Sequence, residues 1–308
     1  SVRLRPVYSA DAAGARPAAL FLKLCQSTFG RSELDYLTRD YAQVADAPIP
    51  RCYDAQIDEA IPAYHLLMDD LGATHHNNWQ DSPSLAYAEA LAEAVAALHA
   101  PYWQAQQRAA LGGGEDAAPQ FERYLAHSAQ GLEHLLDAVQ NDISAKHQQA
   151  IRSIFARHPA AVRARLGDPH GLTLIHGDLN PGNILSPHDG PRPVYLIDRQ
   201  PFAWSLTTWY GVADLAYASV HWWPTEQRRA FEQPMLRRYH AALAERGITD
   251  YSWQQLWDDY RLMAMLSVYV AVEWCVLPAD RAGMRWVWFP ELEKALAAFD
   301  DLDCAALI

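Results

Sequence analysis

The segment Leu174-Ile175-His176-Gly177-Asp178-Leu179-Asn180-Pro181-Gly182-Asn183-Ile184-Leu185, followed by Val194-Tyr195-Leu196-Ile197-Asp198, constrains this chain more than any other. Two apolar runs bracket a polar loop, and apolar flanks pin such a loop rigidly enough to present chemically useful side chains. Asp178 and Asn183 are five apart, and Asp198 lies 15 positions beyond Asn183, at the end of the next apolar run. A hairpin of that length brings the three side chains together.

The surrounding chain divides by pattern. Val2 to Tyr8 roughly alternates, Ala18 to Leu24 reads as a buried strand, and the turn-like residues between them complete a β-hairpin. In its second strand Leu20, Leu22 and Leu24 share one face, and Ala19, Phe21 and Lys23 the other. Arg31 to Val44 has a helical pattern starting near Gly30 or Ser32, and Pro48 and Pro50 precede a strand pair, Cys52 to Ala55 and Ala63 to Met68. Beyond Asp69-Asp70-Leu71-Gly72 the chain turns helical, with Ser84 to His99 and Phe121 to Arg165 as the main stretches. Gly112-Gly113-Gly114 reads as a flexible loop, since no strand leads into it. Leu172 to Ile197 is a strand-rich island, and the rest, to Ile308, is helical and tryptophan-rich. The expectation is an α+β fold with a small β-rich N-terminal lobe, residues 1–70, and a larger, mainly helical lobe, residues 71–308.

Composition narrows the function. With 37 acidic against 25 basic residues the net charge is −12, and no basic block relieves it, so nucleic acid and anionic membrane are poor partners. The longest apolar run, Leu262 to Val272, is too short to span a bilayer and reads as a buried helix. Four dispersed cysteines and no signal-peptide pattern fit free thiols in the cytoplasm. Only three of the 25 basic residues are lysines, Lys23, Lys146 and Lys294. A chain that uses arginine almost everywhere places a lysine within an apolar strand at position 23.

Phosphoryl transfer from ATP needs a carboxylate to orient an attacking hydroxyl and accept its proton, together with hard oxygen ligands for Mg2+ on the phosphates. Asp178, Asn183 and Asp198 occur in the order used by protein kinases. The H-G-D-x-x-x-x-N form resembles the aminoglycoside phosphotransferase and choline kinase-like superfamily, and the flanks are similar to its ecdysteroid-kinase-like branch. The resemblance runs over roughly residues 2 to 220 and implies a bilobal protein-kinase-like fold. It implies Asp178 as catalytic base, Asn183 and Asp198 as Mg2+ ligands, Lys23 as the lysine on the ATP (or GTP) phosphates, and Glu33 as its ion-pair partner. Met68, Asp69 and Asp70 correspond to the purine-binding hinge, and Asp214 to an aspartate anchoring the catalytic loop. The acceptor implied is a small-molecule hydroxyl.

Other readings stand beside this one. A lone loop aspartate is more often a turn former, and Lys23 can serve as an edge-strand lysine. His176, two residues from a base, reads as a scaffold residue bonded to backbone; His65, His75 and His76 read as surface or satisfied histidines. The glycine-rich phosphate loop of such kinases has no counterpart in the printed chain, which begins at what should be the second strand; either residues before Ser1 are not represented or phosphate is clamped otherwise. That departure is the support for an alternative, a pseudokinase that binds nucleotide or a partner without turnover. Metal-dependent hydrolysis through His176 and Asp178 would need further ligands at suitable spacing, and no such cluster is evident. Arg199 either contacts a phosphate or substrate anion or points away to pair with an acid. Trp204, Trp209, Trp222, Trp223, Trp274, Trp286 and Trp288 either pack a core or line an aromatic pocket for a flat or quaternary-ammonium acceptor.

Overall fold

A computed structural model of the chain describes residues 1–26, 32–42, 44–58, 60–61, 63–103 and 115–308. Gly30, Arg31 and the Gly112–Gly114 stretch lie outside the described residues. The N-terminal part is an antiparallel sheet of β1 (Val2–Leu4), β2 (Leu20–Gln26), β3 (Cys52–Asp58) and β4 (Ala63–Asp69), in the order β1-β2-β4-β3. The first strand is shorter than its alternation suggests, because the chain leaves the sheet after Leu4. Lys23 pairs with Leu66, Phe21 with Met68 and Cys25 with Tyr64. Opposite residues of an antiparallel pair share a face, so Lys23 stands among the buried Tyr64, Leu66 and Met68 while Leu24 faces solvent.

The helix after β2 is also shorter than its pattern. An α-turn, α1 (Ser32–Asp35), passes into a wider π turn, Tyr36–Asp40. The wider turn sets Tyr36 and Tyr41 side by side, ring centroids 4.7 Å apart, and Tyr41 donates to Leu98 O at 2.8 Å. Packing of two tyrosines thus overrides a regular helix.

The larger, mainly helical part contains α2 (Leu85–His99), α3 (Ala117–Ser128), α4 (Leu132–Val139) and α5 (Ala145–Arg165), then α6 (Val212–Ala216), α7 (Thr225–Glu245), α8 (Trp253–Ala264), α9 (Leu266–Glu273), α10 (Pro278–Gly283) and α11 (Arg285–Asp301). Ser84 caps α2, accepting from Tyr87 N, and Leu91, Val95 and Leu98 are buried. The run Leu262 to Val272 is not one helix: it breaks at Met265, so that α8 packs on α6 and α9 on α11. No helix among the described residues is long and apolar enough to cross a membrane.

Between the helices lie β5 (His75–Asn77), β6 (Leu172–Leu174), β7 (Ile184–Pro187), β8 (Tyr195–Leu196) and β9 (Thr208–Tyr210). The β7–β8 hairpin forms as expected, with Ile184 opposite Leu196, but the island is not self-contained. Its strands pair outward, β7 with β5 and β6 with β9. Three-residue strands carry too little pattern to read in advance, and long-range pairing decides them.

His158 on α5 is fully buried, its Nδ1 3.1 Å from Tyr269 Oη and its Nε2 3.0 Å from Leu262 O. Burial pushes its pKa down to about 4, against the opposing bond to Leu262. The folded value lies below the unfolded one, so this stability is present above pH about 6.5 and is lost as the pH falls toward 4. The span is worth about 3 kcal/mol at roughly 1.4 kcal/mol per pH unit. Urea unfolding should therefore show the stability gap between wild type and His158→Gln narrowing from pH 7 to 4.5; parallel curves would assign the acid limb elsewhere.

Candidate active site

The loop after β6 is held from beneath by one carboxylate. Asp214, in α6 and 1% exposed, accepts the His176 N–H at 2.7 Å, the Gly177 N–H at 2.8 Å and His99 Nε2 at 3.1 Å. Gly177 has φ 81°, in the left-handed region where a side chain is strained. His176 behaves as a scaffold residue: Nε2 donates to Ile197 O at 2.9 Å, and Nδ1 accepts from Asp178 N at 3.3 Å. The imidazole thereby ties the loop to the strand leading to Asp198. Burial lowers its pKa, with Asp214 and Asp178 opposing.

This frame presents Asp178 with its carboxylate braced on both oxygens. Oδ1 accepts from Asn180 Nδ2 at 3.0 Å and from the Tyr217 hydroxyl at 3.1 Å; Oδ2 accepts from Asn183 Nδ2 at 3.1 Å. Asn183 Nδ2 also reaches Asp178 O at 2.9 Å. Asn183 thus commits its amide nitrogen inward, which leaves its side-chain oxygen Oδ1 for another partner. Ile197 N donates to Asn183 O at 3.0 Å, so the hairpin sets Asn183 beside the backbone that delivers Asp198. Asp198 has φ 63°, unusual for a residue with a side chain and a conformation that packing must hold.

The N-terminal sheet closes the site. Lys23 Nζ lies 2.7 Å from Glu33 Oε2 and 2.6 Å from Asp198 Oδ1. Burial works against its charge, but Glu33 and Asp198 outweigh it and hold the ammonium above its ordinary range. Glu33 is buried and also accepts from Gln200 Nε2 at 2.9 Å. In the segment Met68 to Asp70, Met68 is buried, and the Asp69 N–H is already donated to Arg51 O at 3.0 Å. The Asp70 carboxylate accepts from Gly72 N at 3.0 Å and lies 3.2 Å from Arg3.

Arg199 points away, the second course expected of it, but onto a carbonyl and a ring in place of an acid. It is buried, donates from Nε to Ile175 O at 2.8 Å, and stacks over the Tyr36 ring at 5.0 Å. It binds the loop to the π turn and so leaves Asp198 facing Lys23. The tryptophans divide: Trp209 and Trp288 are core, and Trp286 is 74% exposed. Trp222 and Trp223 line a cavity of about 640 Å³ with Trp79 and Tyr87. Tyr217 and Gln200 escaped the sequence reading. Tyr217 stands three residues after Asp214, one helical turn on, and Gln200 two after Asp198; that spacing was the available signal.

The family model of the Phosphotransferase enzyme family (APH) matches residues 13–252, and the chain belongs to that family. Its fold is the bilobal one of small-molecule kinases. A Plasmodium vivax ethanolamine kinase superposes with TM-score 0.55 at 11% identity, over 94% of this chain and 77% of the other. A glucosamine kinase in complex with glucosamine, ADP and inorganic phosphate gives TM-score 0.51 at 19% identity, over 84% and 67%. A Ralstonia eutropha protein assigned provisionally as an aminoglycoside phosphotransferase gives 0.58 at 16%, over 92% and 86%. No curated protein sequence matches significantly.

Desolvation works against an ionised Asp214, but the hydrogen bond from His99 and the Gly177 N–H outweigh it, and its pKa stays below the usual carboxylate value. Its contribution is therefore present above pH about 4 and is lost as the pH falls through the lowered folded value. Asp214→Asn should cost about 3–5 kcal/mol at pH 7, the scale for breaking a buried charged network, with a smaller gap at pH 3.5 by urea titration. An unchanged midpoint at pH 7 would remove Asp214 from its anchoring place.

Proposed function

We propose that the chain is a small-molecule kinase that transfers the γ-phosphate of ATP (or GTP) to a substrate hydroxyl. The observation that carries this is a chain of contacts drawn from both parts of the fold: Asn183 bonds Asp178, the Asn183 backbone carbonyl accepts from Ile197 next to Asp198, and Asp198 pairs with Lys23. In this reading residues 1–70 form the nucleotide-binding lobe and residues 71–308 the catalytic and acceptor-binding lobe.

Asp178, braced by Asn180, Tyr217 and Asn183, orients the acceptor hydroxyl and takes its proton. The acceptor O–P bond forms as the bond from the γ-phosphorus to its bridging oxygen breaks, and the nucleoside diphosphate leaves with the electron pair. Lys23, held by Glu33, steadies the α/β-phosphates. Backbone groups of Met68 to Asp70 meet the purine; with the Asp69 N–H already spent, the contact falls to the remaining groups of that stretch.

The Asp198 carboxylate and the side-chain amide oxygen of Asn183 are hard oxygen donors suited to Mg2+, which commonly binds through one or two protein oxygens plus phosphate and water. When bound, Mg2+ neutralises developing charge on the phosphate oxygens. Among the described residues there is no cluster of three or more His, Cys, Asp or Glu that could hold a metal. That fits a cation shared with the nucleotide better than an all-protein cage.

Asp178→Asn should reduce turnover about 10²-fold or more while leaving Mg-ATP binding intact, because only the transition state loses an interaction. Retention of more than about a tenth of wild-type ADP formation would sink the base assignment. Asp198→Ala should instead weaken Mg-ATP affinity together with turnover. Calorimetry showing unchanged affinity and unchanged metal requirement would count against the ligand role.

A further inference from the structure

The cavity of about 640 Å³ is built against the loop that carries Asp178. Pro181, three residues after Asp178, is part of its wall, as are Trp79, Tyr87, Trp222, Trp223 and Lys294. Trp79 presses on the loop so closely that a Cβ at Gly182 would lie 2.6 Å from its Nε1. Trp79 and Trp222 meet edge to face at 5.3 Å, and Trp222 ends the π turn, Tyr217–Trp222, that begins with the Tyr217 bracing Asp178. The cavity and the braced carboxylate thus share one support.

Lys294 gives the cavity its sign. Its ammonium contacts the carbonyls of His221 and Trp222 at 3.3 and 3.2 Å, long bonds to the end of the π turn, and makes no ion pair among the described residues. Burial lowers its pKa, and Glu291 only partly opposes this. Glu291 is itself turned to His221, 2.9 Å away. The acid in the lining, Asp81, is half exposed and accepts from His76 Nε2 at 2.8 Å. The lining therefore holds a half-buried cation that makes no ion pair among the described residues, and an acid that is both solvated and bonded.

Aromatic walls alone would suit a cation. A cation already in the lining repels a second one, so the quaternary-ammonium acceptor that the tryptophans suggested is disfavoured. We infer that this cavity holds the acceptor, and that the acceptor is a hydroxyl compound with a flat apolar body and an anionic group, a carboxylate or its equivalent, seated on Lys294. The inference rests on the phosphotransfer reading of Asp178 for the direction in which the hydroxyl points.

The test uses the full chain with Mg-ADP and two matched triplets: 4-(hydroxymethyl)benzoate, 1,4-benzenedimethanol and 4-(hydroxymethyl)benzylamine; 3-(hydroxymethyl)benzoate, 1,3-benzenedimethanol and 3-(hydroxymethyl)benzylamine. Calorimetry should give an anionic member at least about tenfold tighter affinity than its neutral and cationic counterparts. Lys294→Met should remove that advantage while leaving the neutral member within about twofold. Should Lys294→Met melt early, the wild-type ranking decides by itself. Equal or better binding of the neutral or cationic members, an equal loss for all three in the variant, or no binding by either anion overturns the proposal. Phosphate transfer from ATP to the same compounds is scored separately. An anion preference without transfer to any compound would fault the kinase reading and leave the anion site standing; transfer without anion preference would do the reverse.

Discussion

A buried negative charge must be surrounded by donors or it neutralises itself. Asp214 meets that requirement by collecting two successive backbone N–H groups of the loop and the imidazole of His99, and the loop takes its course from that demand. Gly177 supplies the left-handed backbone that lets both amides point the same way. The orientation of Asp178 is a consequence, fixed one residue later. His99 is held in turn by Tyr239 at 2.8 Å and through its carbonyl by Thr173 at 2.7 Å, so α2, α7 and β6 all converge on the same carboxylate.

Lys23 does for the two lobes what Asp214 does for the loop. Its ammonium links a strand of the N-terminal sheet to the end of the β7–β8 hairpin through Asp198, while Glu33, backed by Gln200, keeps it inside. Two acids on one lysine offset its desolvation, and the left-handed backbone at Asp198 aims that carboxylate across the cleft. Arg199, which points away beneath Tyr36, stabilises the turn. Adjacent charged residues of opposite sign thus face opposite ways, because the reversed backbone at Asp198 separates them.

Much of this was legible in the sequence. The spacing of Asp178, Asn183 and Asp198 between apolar runs announced a rigid polar loop, and a lysine in a strand of a lysine-poor chain announced a constrained ammonium. Those signals are local, carried by residue type, periodicity and short separations. Less legible were elements whose form depends on distant partners: the π turn that pairs Tyr36 with Tyr41, the break at Met265, and the short strands β5 and β9. Tyr217 and Gln200 were missed for the same reason, since their spacing from Asp214 and Asp198 places them near the loop without saying that a hydroxyl meets a carboxylate 39 residues upstream.

The sequence by itself determined the chemical inventory and its order: a small β-rich part, then a helical part, and within the latter a rigid loop carrying two carboxylates and an amide. It could do so because apolar periodicity and the chemistry of Asp, Asn, Lys and Gly are properties of residues and their near neighbours. Only the tertiary structure decided which tryptophans became core and which became cavity wall. It also turned Arg199 inward and, among the described residues, left Lys294 without an ion pair. Those outcomes depend on which distant groups are present to satisfy a buried donor or acceptor, and that partnership exists only once the chain has folded.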